Sequence, residues 1–176
     1  FSKIIYEGEI SSVIDDVSKM TGNQWFKGVR LNYAENLLKH NTNCIAIEFY
    51  NESNEKITLS YKELRQKVAS LSAYLHSVGV GKGDRVAAVI PNIPEAIIMM
   101  LASSSVGAIW TSCSPDFGVN AILDRFEQVA PKVLLVSDGY TFKGKYFSID
   151  NKIKLISDKL GSLTKIISVD YIKKFN

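Results

Sequence analysis

Apolar and polar positions along the chain follow two periods, one typical of strands and one typical of helices. Residues 45–50 and 56–60 are rich in β-branched and aromatic side chains and flank a polar segment, so they predict an antiparallel hairpin. Between residues 61 and 78, apolar side chains recur at intervals of three and four, which predicts a helix with one buried face. Ser60 and Glu63 have the spacing of a capping box and mark the start of that helix.

The rest of the chain alternates short apolar segments with helix-length ones. The predicted strands are residues 85–90, 108–113, 132–136 and 165–169. The predicted helices between them are residues 94–106, 119–129 and 149–160. Apolar strands separated by helices are typical of a parallel sheet that is covered on both faces. We therefore expect an α/β fold, a doubly wound and mostly parallel sheet, preceded by a short amino-terminal extension and the hairpin.

The composition suits a globular protein with a hydrophobic core. Of the 176 residues, 46% are hydrophobic and 22% are charged, which excludes a disordered, collagen-like or disulfide-dense chain. The net charge of +3 is too small to indicate a nucleic-acid partner. Lysines are concentrated after residue 141, but they are spread along a predicted helix and the start of a strand, which favours a solvated face.

Neither the cysteines and histidines nor the longest uncharged segment indicates a metal site or a membrane span. Cys44 and Cys113 are far apart, and His40 and His76 have no neighbours at ligand spacing. We therefore expect no metal site, no disulfide, and a reducing, cytoplasmic location. Residues 96–115 carry no charge, but Ser and Thr side chains interrupt them. We therefore predict a buried helix followed by a strand instead of a membrane-spanning helix, and no membrane partner.

Three loops are expected at the edge of the sheet where ligands bind. Ligands of open parallel sheets bind at the carboxyl ends of the strands, and the loops that leave those ends are residues 91–95, 114–118 and 137–146. Gly118 would open a helix whose free amides and dipole favour an anion such as a phosphate, and Lys143 and Lys145 add positive charge. The same residues also suit ordinary turns and solvated lysines, so both interpretations stay open.

Two sharper motifs are rejected. Residues 79–84 look like a phosphate loop, but they precede a strand, and Lys82 is followed by glycine instead of Ser or Thr, so they predict a helix-to-strand turn. The sequence contains no G-x-S-x-G elbow and no histidine beside a nucleophile with an Asp partner, so a hydrolase triad is not supported.

Six further segments carry a resemblance to a known family. They are residues 31–38, 83–87, 91–96, 106–118, 124–126 and 130–133. Their order and spacing resemble the amino-terminal part of the adenylate-forming acyl-CoA synthetases. The run Trp-Thr-Ser-Cys-Ser-Pro-Asp-Phe-Gly is typical of the family branch that activates acetoacetate, although Thr111 replaces a serine there.

The resemblance implies a domain division and a reaction. Residues 1–40 resemble the amino-terminal extension shared by the members that activate acetate and acetoacetate, and residues 41–176 resemble the start of the AMP-binding domain, here truncated. The reaction implied has two steps: a carboxylate attacks the α-phosphate of ATP and releases pyrophosphate, and the CoA thiol then displaces AMP from the acyl-adenylate. The implied partners are the small molecules acetoacetate, ATP and CoA, with Mg2+ accompanying ATP.

The resemblance also implies where CoA would bind. In this family, the loop that matches residues 114–118 lines the CoA entrance, and the loop that matches residues 138–145 supplies cations to the nucleotide phosphate of CoA. Lys145 occupies a position where acetate-activating members carry an Arg. Phe142 occupies the position of a second Arg in those members, so a cation is missing there, and Lys143 is its candidate substitute. The implied CoA-binding residues are Ser114, Pro115, Asp116, Phe117, Gly118, Lys143 and Lys145.

The family's catalytic segments do not occur in this sequence. These are a Ser/Thr/Gly-rich phosphate loop with a Lys, a Tyr-Gly-x-Thr-Glu segment and a Lys in a mobile carboxy-terminal domain. Because the chain also begins at Phe1 without a secretory signal, we expect part of a longer product that is inactive alone and binds no cofactor tightly. Two alternatives stay open: a stand-alone CoA-binding or nucleotide-binding α/β module, and a ligand-free structural or partner-binding domain.

Overall fold

The computed structural model describes residues 3–175. The strands are β1 (Ser12–Ile14), β2 (Trp25–Lys27), β3 (Ile45–Tyr50), β4 (Lys56–Ser60), β5 (Arg85–Val89), β6 (Ile109–Cys113), β7 (Val133–Ser137), β8 (Gly139–Phe142), β9 (Lys145–Ser148) and β10 (Lys165–Val169). The helices are α1 (Tyr33–Leu37), α2 (Tyr61–Ser77), α3 (Pro94–Ser105), α4 (Val119–Val129), α5 (Asp150–Lys159) and α6 (Ile172–Phe175).

Parallel strands in the order β10-β7-β5-β6 form the central sheet. The chain passes from β5 to β6 in one direction and then returns past β5 to β7 and β10, which is the winding of a doubly wound fold. Alternate residues of β5 face opposite sides. Val86 and Ala88 pack with side chains of α2 and α3, whereas Ala87 and Val89 pack with side chains of α4 and α5. The predicted fold class is confirmed, with helices on both faces of the sheet.

Helix α2 begins and ends where the sequence indicates. The Ser60 hydroxyl accepts a hydrogen bond from the Glu63 amide, and the Glu63 carboxylate accepts one from the Ser60 amide at 2.8 Å, so the capping box is complete. Gly79 follows the helix with a φ of 81°, a left-handed conformation that glycine adopts without strain. The buried face of α2 packs against α3.

The predicted hairpin is present, and a second small one precedes it. Strands β3 and β4 pair in antiparallel fashion, as expected. Strands β1 and β2 also form an antiparallel pair, which the sequence did not indicate because each has only three residues and Val13 and Trp25 remain exposed. Asn32 caps α1 and also donates to the Ser104 carbonyl of α3 at 2.9 Å, so this amino-terminal part is attached to the sheet domain.

Residues 137–146, expected as a loop, instead contain most of the antiparallel hairpin of β8 and β9. Its turn is Lys143-Gly144, with φ values of 51° and 70°. Positive φ at both turn residues matches the twist of a two-stranded hairpin, and glycine is common at the second position. The aromatic runs on either side of Lys143 were therefore a hairpin signal. Strand β9 is exposed throughout and β8 is only partly buried, so both lack the continuous apolar pattern by which the other strands were recognised.

The uncharged segment at residues 96–115 divides between α3 and β6, as predicted. Gly107, with a φ of 76°, lies at the change of direction between them. In the part of the chain that the structure describes, no helix is both long enough and apolar enough to cross a bilayer.

The motif at residues 83–87 lies at the amino ends of the strands. Asp84 accepts a hydrogen bond from the Gly81 amide at 2.9 Å and forms an ion pair with Lys132 at 3.2 Å. The Gly81 amide is the main cause that lowers the pKa of Asp84, and Lys132 adds to the effect. Asp84 therefore closes the turn that leads into β5.

Arg85, the next residue of that motif, connects β5 to the end of α4. Its guanidinium donates to the carbonyls of Val129 at 2.6 Å and Ala130 at 2.9 Å. A third bond goes to the carbonyl of Gly83 at 3.1 Å. The last carbonyls of a helix have no partner within the helix, so a cation at this position stabilises the helix end.

Candidate functional site

The three loops expected to bind ligands lie at one edge of the sheet. In the central strand β5, Val89 pairs with Cys113 of β6 on one side and with Val136 of β7 on the other. Because the strands are parallel and in register, the chain leaves all three at the same edge. This brings residues 91–95, 114–118 and the β8–β9 hairpin together, as predicted.

The loop at residues 114–118 exposes most of its side chains to solvent. Pro115 is buried, whereas Ser114, Asp116, Phe117 and Gly118 are exposed. Gly118 is the N-cap of α4, and no side chain caps that helix. The first amides of α4 therefore retain the positive electrostatic potential of an uncapped helix end.

Gly118 is not required by the fold at its position. Its φ of −66° suits any residue, and a Cβ built there would meet no atom within 4 Å. The space beside this residue, just before the first turn of α4, is therefore open.

Two side chains from outside the loop contact it, and sequence reasoning identified neither contact. Lys152 of α5 donates to the carbonyls of Pro115 at 2.6 Å and Phe117 at 2.7 Å. The guanidinium of Arg125, on α4, lies 5.0 Å from the centre of the Phe117 ring, which is a cation–π distance. Together these contacts attach the loop to two helices.

The predicted cations Lys143 and Lys145 lie at the exposed tip of the β8–β9 hairpin. The Lys143 and Gly144 amides donate to the two carboxylate oxygens of Glu52, at 3.2 and 2.9 Å. The Lys143 ammonium lies 5.3 Å from the centre of the Phe142 ring. Glu52 belongs to the turn between β3 and β4, so the tip is attached to the first hairpin of the domain.

Asp138, which is 91% buried, fixes the base of the β8–β9 hairpin. The carboxylate of Asp138 accepts hydrogen bonds from the amides of Tyr171 at 2.8 Å and Ile172 at 2.7 Å. These amides lie at the start of α6, so Asp138 caps that helix. Its carboxylate therefore has a structural role. The charged groups that this hairpin presents to solvent at its tip are the ammonium groups of the lysines.

The third loop, residues 91–95, is mainly a connection into α3. Ile93 is the N-cap and Pro94 occupies the first turn, and both are buried. Proline is favoured at this position because its missing amide hydrogen has no partner there in any case. Of this loop, Asn92 is the exposed residue, so the interpretation as an ordinary turn suits residues 91–95 better than a binding role does.

Ionisable groups at this edge do not form a metal-binding or nucleophilic cluster. Within the described residues, no three His, Cys, Asp or Glu side chains lie close enough to hold a metal ion. Burial raises the pKa of the Cys113 thiol, and the positive charge of Arg125 opposes this only in part. A buried, protonated thiol is a poor nucleophile, so Cys113 belongs to the core.

Comparison with known proteins finds a family that spans most of the chain. The profile of the AMP-binding enzyme family matches residues 35–173. This range contains the whole central sheet and all three loops at its carboxyl edge.

Individual relatives extend the match to nearly the whole chain. Acetoacetyl-coenzyme A synthetase of Rhizobium meliloti (strain 1021) is 44% identical over 165 residues, which are 94% of this chain and 25% of that protein. Acetoacetyl-CoA synthetase of Macaca fascicularis is 42% identical over 176 residues, covering 98% of this chain and 26% of that protein. The solved structure of acetoacetyl-CoA synthetase from Streptomyces lividans superposes with a TM-score of 0.91 at 38% identity, covering 96% of this chain and 26% of that one. The chain spans about a quarter of the length of these relatives.

Proposed function

Since the chain belongs to the AMP-binding enzyme family, we propose that it is the amino-terminal part of an ATP-dependent acid–CoA ligase that converts acetoacetate to acetoacetyl-CoA. In the proposed reaction, the acetoacetate carboxylate attacks the α-phosphate of ATP, and the bond to pyrophosphate breaks. The CoA thiol then attacks the acyl-adenylate carbonyl, and AMP leaves. The identity of 44% and 42% with acetoacetyl-CoA synthetases supports acetoacetate as the acid.

The contribution proposed for this chain is part of the CoA site. The observation that carries it is the exposed loop at residues 114–118, which leads into the uncapped amino terminus of α4 and leaves open space at Gly118. A helix terminus of this kind favours an anionic ligand, and CoA carries phosphates. Lys143 and Lys145 are exposed at the same edge of the sheet and supply positive charge for those phosphates.

We also propose that residues 1–40 are an extension and that residues 41–176 begin the AMP-binding domain. Strands β1 and β2 pair with each other, and both lie within residues 1–40, which supports describing this part as a unit of its own. The family match begins at residue 35, within α1, close to the proposed boundary.

The nucleotide and its metal enter the proposal through the rest of the enzyme. Among the described residues no three His, Cys, Asp or Glu side chains form a group that could hold a metal ion. Mg2+ at nucleotide sites is usually held by one or two carboxylates together with the substrate phosphates, so in the proposal it accompanies the phosphates of ATP. A cytoplasmic location is proposed as well, supported by the free cysteines Cys44 and Cys113.

The experiment that tests the function uses the complete protein encoded by the reading frame that contains this chain. We expect it to exchange pyrophosphate into ATP in the presence of acetoacetate, more rapidly than with acetate, and to form acetoacetyl-CoA when CoA is added. The 176-residue chain alone should show no exchange above the blank without enzyme. Absence of acid-dependent exchange by the complete protein contradicts the ligase, and CoA binding without exchange supports a non-catalytic CoA-binding module instead.

A further inference from the structure

The loop at residues 114–118 has an attachment point in Lys152, which lies in the first turn of α5. The partly buried side chain of Lys152 brings its ammonium within 2.6 Å of the Pro115 carbonyl and 2.7 Å of the Phe117 carbonyl. These two carbonyls lie on either side of Asp116, immediately before the N-cap Gly118. One cation therefore fixes the direction of two peptide groups that precede α4.

The position of Lys152 is unfavourable for its own helix. The first turn of an α-helix carries a partial positive charge, so acidic residues are favoured there and cations are disfavoured. Asp150 at the start of α5 follows this rule, whereas Lys152 does not. Local helix stability therefore does not explain a lysine at this position, and its two contacts with the loop do.

The orientation of the two carbonyls has a consequence for the neighbouring amides. In a trans peptide the carbonyl and the following amide point in opposite directions, and all peptide bonds in the described residues are trans. With the Pro115 and Phe117 carbonyls directed at Lys152, the amides of Asp116 and Gly118 point away from it. Neither amide donates to another group among residues 3–175, so both remain available to a ligand.

We propose that Lys152 is a positioning residue for CoA: it holds the loop at residues 114–118 in the conformation that presents its backbone amides to CoA. This inference rests on the proposed function of the chain as part of a CoA ligase. Lys152 acts through the loop and does not contact CoA itself. The inference assigns a role to a side chain on α5, outside the three loops that leave the carboxyl ends of the strands.

The test compares variants of the complete protein. Lys152→Met removes both hydrogen bonds while keeping most of the side-chain volume, and we expect the KM for CoA to rise about tenfold, with kcat changed less than about twofold. Lys152→Arg retains a cation with several donors and should recover the KM to within about threefold of the parent. Lys154→Met is the matched control, because Lys154 is an exposed cation on the same helix, and its KM for CoA should equal that of the parent.

One further measurement separates positioning from direct contact. Hydrogen exchange at the Phe117 amide, which donates to the Ser114 carbonyl at 3.3 Å, is followed in the absence of CoA. It should become faster in Lys152→Met and not in Lys154→Met, because only the first variant releases the loop. A raised KM for CoA with unchanged exchange in Lys152→Met assigns Lys152 as a direct ligand of CoA and overturns the proposal.

The outcomes also distinguish this inference from the proposed function. If the parent protein shows acetoacetate-dependent pyrophosphate exchange and Lys152→Met has the parent's KM for CoA, the positioning role is wrong and the ligase stands. If the parent shows neither exchange nor thioester formation, the proposed function fails, and the role of Lys152 in CoA binding fails with it.

Discussion

Replacing Arg85 with methionine should destabilise the fold without affecting the carboxyl edge of the sheet. The guanidinium of Arg85 donates to the Val129, Ala130 and Gly83 carbonyls, at 2.6, 2.9 and 3.1 Å. The bond to Val129 is partly buried and the other two are exposed. Methionine keeps much of the apolar stem but removes every donor and the charge at the end of α4.

The expected loss of stability follows from these contacts. A hydrogen bond from a charged group contributes about 1.5–3 kcal/mol when partly buried and less when exposed, and a cation at a helix carboxyl terminus adds about 0.3–1 kcal/mol. Because water replaces the guanidinium at the two exposed carbonyls, we expect a total loss of about 2–3 kcal/mol. For a chain of this size that corresponds to a fall in melting temperature of roughly 5–10 °C.

The assay is equilibrium unfolding in urea, followed by far-ultraviolet circular dichroism. Arg125→Met is the matched control, because Arg125 lies on α4, the helix whose end Arg85 binds. Arg125 donates to the Ala121 carbonyl within that helix, at 2.6 Å, and contacts the exposed Phe117 ring. Its replacement should cost less than about 1 kcal/mol. If Arg85→Met costs no more than Arg125→Met, the connection between β5 and the end of α4 is not what stabilises this side of the sheet.

Three further predictions concern other parts of the fold. Ser103 is fully buried and its hydroxyl has no hydrogen-bond partner among the described residues, so Ser103→Ala should stabilise the chain by about 1 kcal/mol in urea unfolding, and a loss of stability contradicts this. Glu52→Ala should speed hydrogen exchange at the two amides of the hairpin tip that donate to its carboxylate; unchanged exchange in a site-resolved measurement contradicts the attachment. The contacts of Asp84 lower its pKa from an ordinary value of 3.8. The contribution of its ionised carboxylate to the free energy of unfolding is therefore complete above that pH and is lost as the pH falls through the lower folded-state pKa. The stability difference between the parent and Asp84→Asn should therefore be larger at neutral pH than in acid, and a difference independent of pH contradicts the role of the ionised carboxylate.

The regular elements of the domain could be predicted from the sequence because each is marked locally. Helix α4 has the predicted bounds, 119–129, since an apolar face at helical spacing lies between a glycine and a segment that contains proline. The resemblance to adenylate-forming acyl-CoA synthetases is also confirmed by the family match over residues 35–173. Its motifs are contiguous segments, so a single sequence displays them.

The contacts that shape the candidate site could not be predicted in the same way. Lys152 contacts carbonyls that lie 37 and 35 positions earlier in the chain, and Glu52 contacts amides 91 and 92 positions later. Such pairs are brought together by the order of the strands and by the packing of α5 against α4. No local period encodes them, and both residues look like ordinary solvated charges in the sequence.

The structure divides the family-like motifs into two groups with different explanations. At residues 83–87, Asp84 closes a turn and Arg85 binds the end of α4, so the fold itself accounts for both side chains. At residues 114–118, on the opposite edge, the fold accounts for the buried Pro115 but not for an exposed Asp116 or for a glycine with open space around it. Residues that a fold does not require are the ones whose identity is left to function. For this reason substitutions at Asp116 and Gly118, and not in the turn that precedes β5, should change the proposed use of CoA without changing stability.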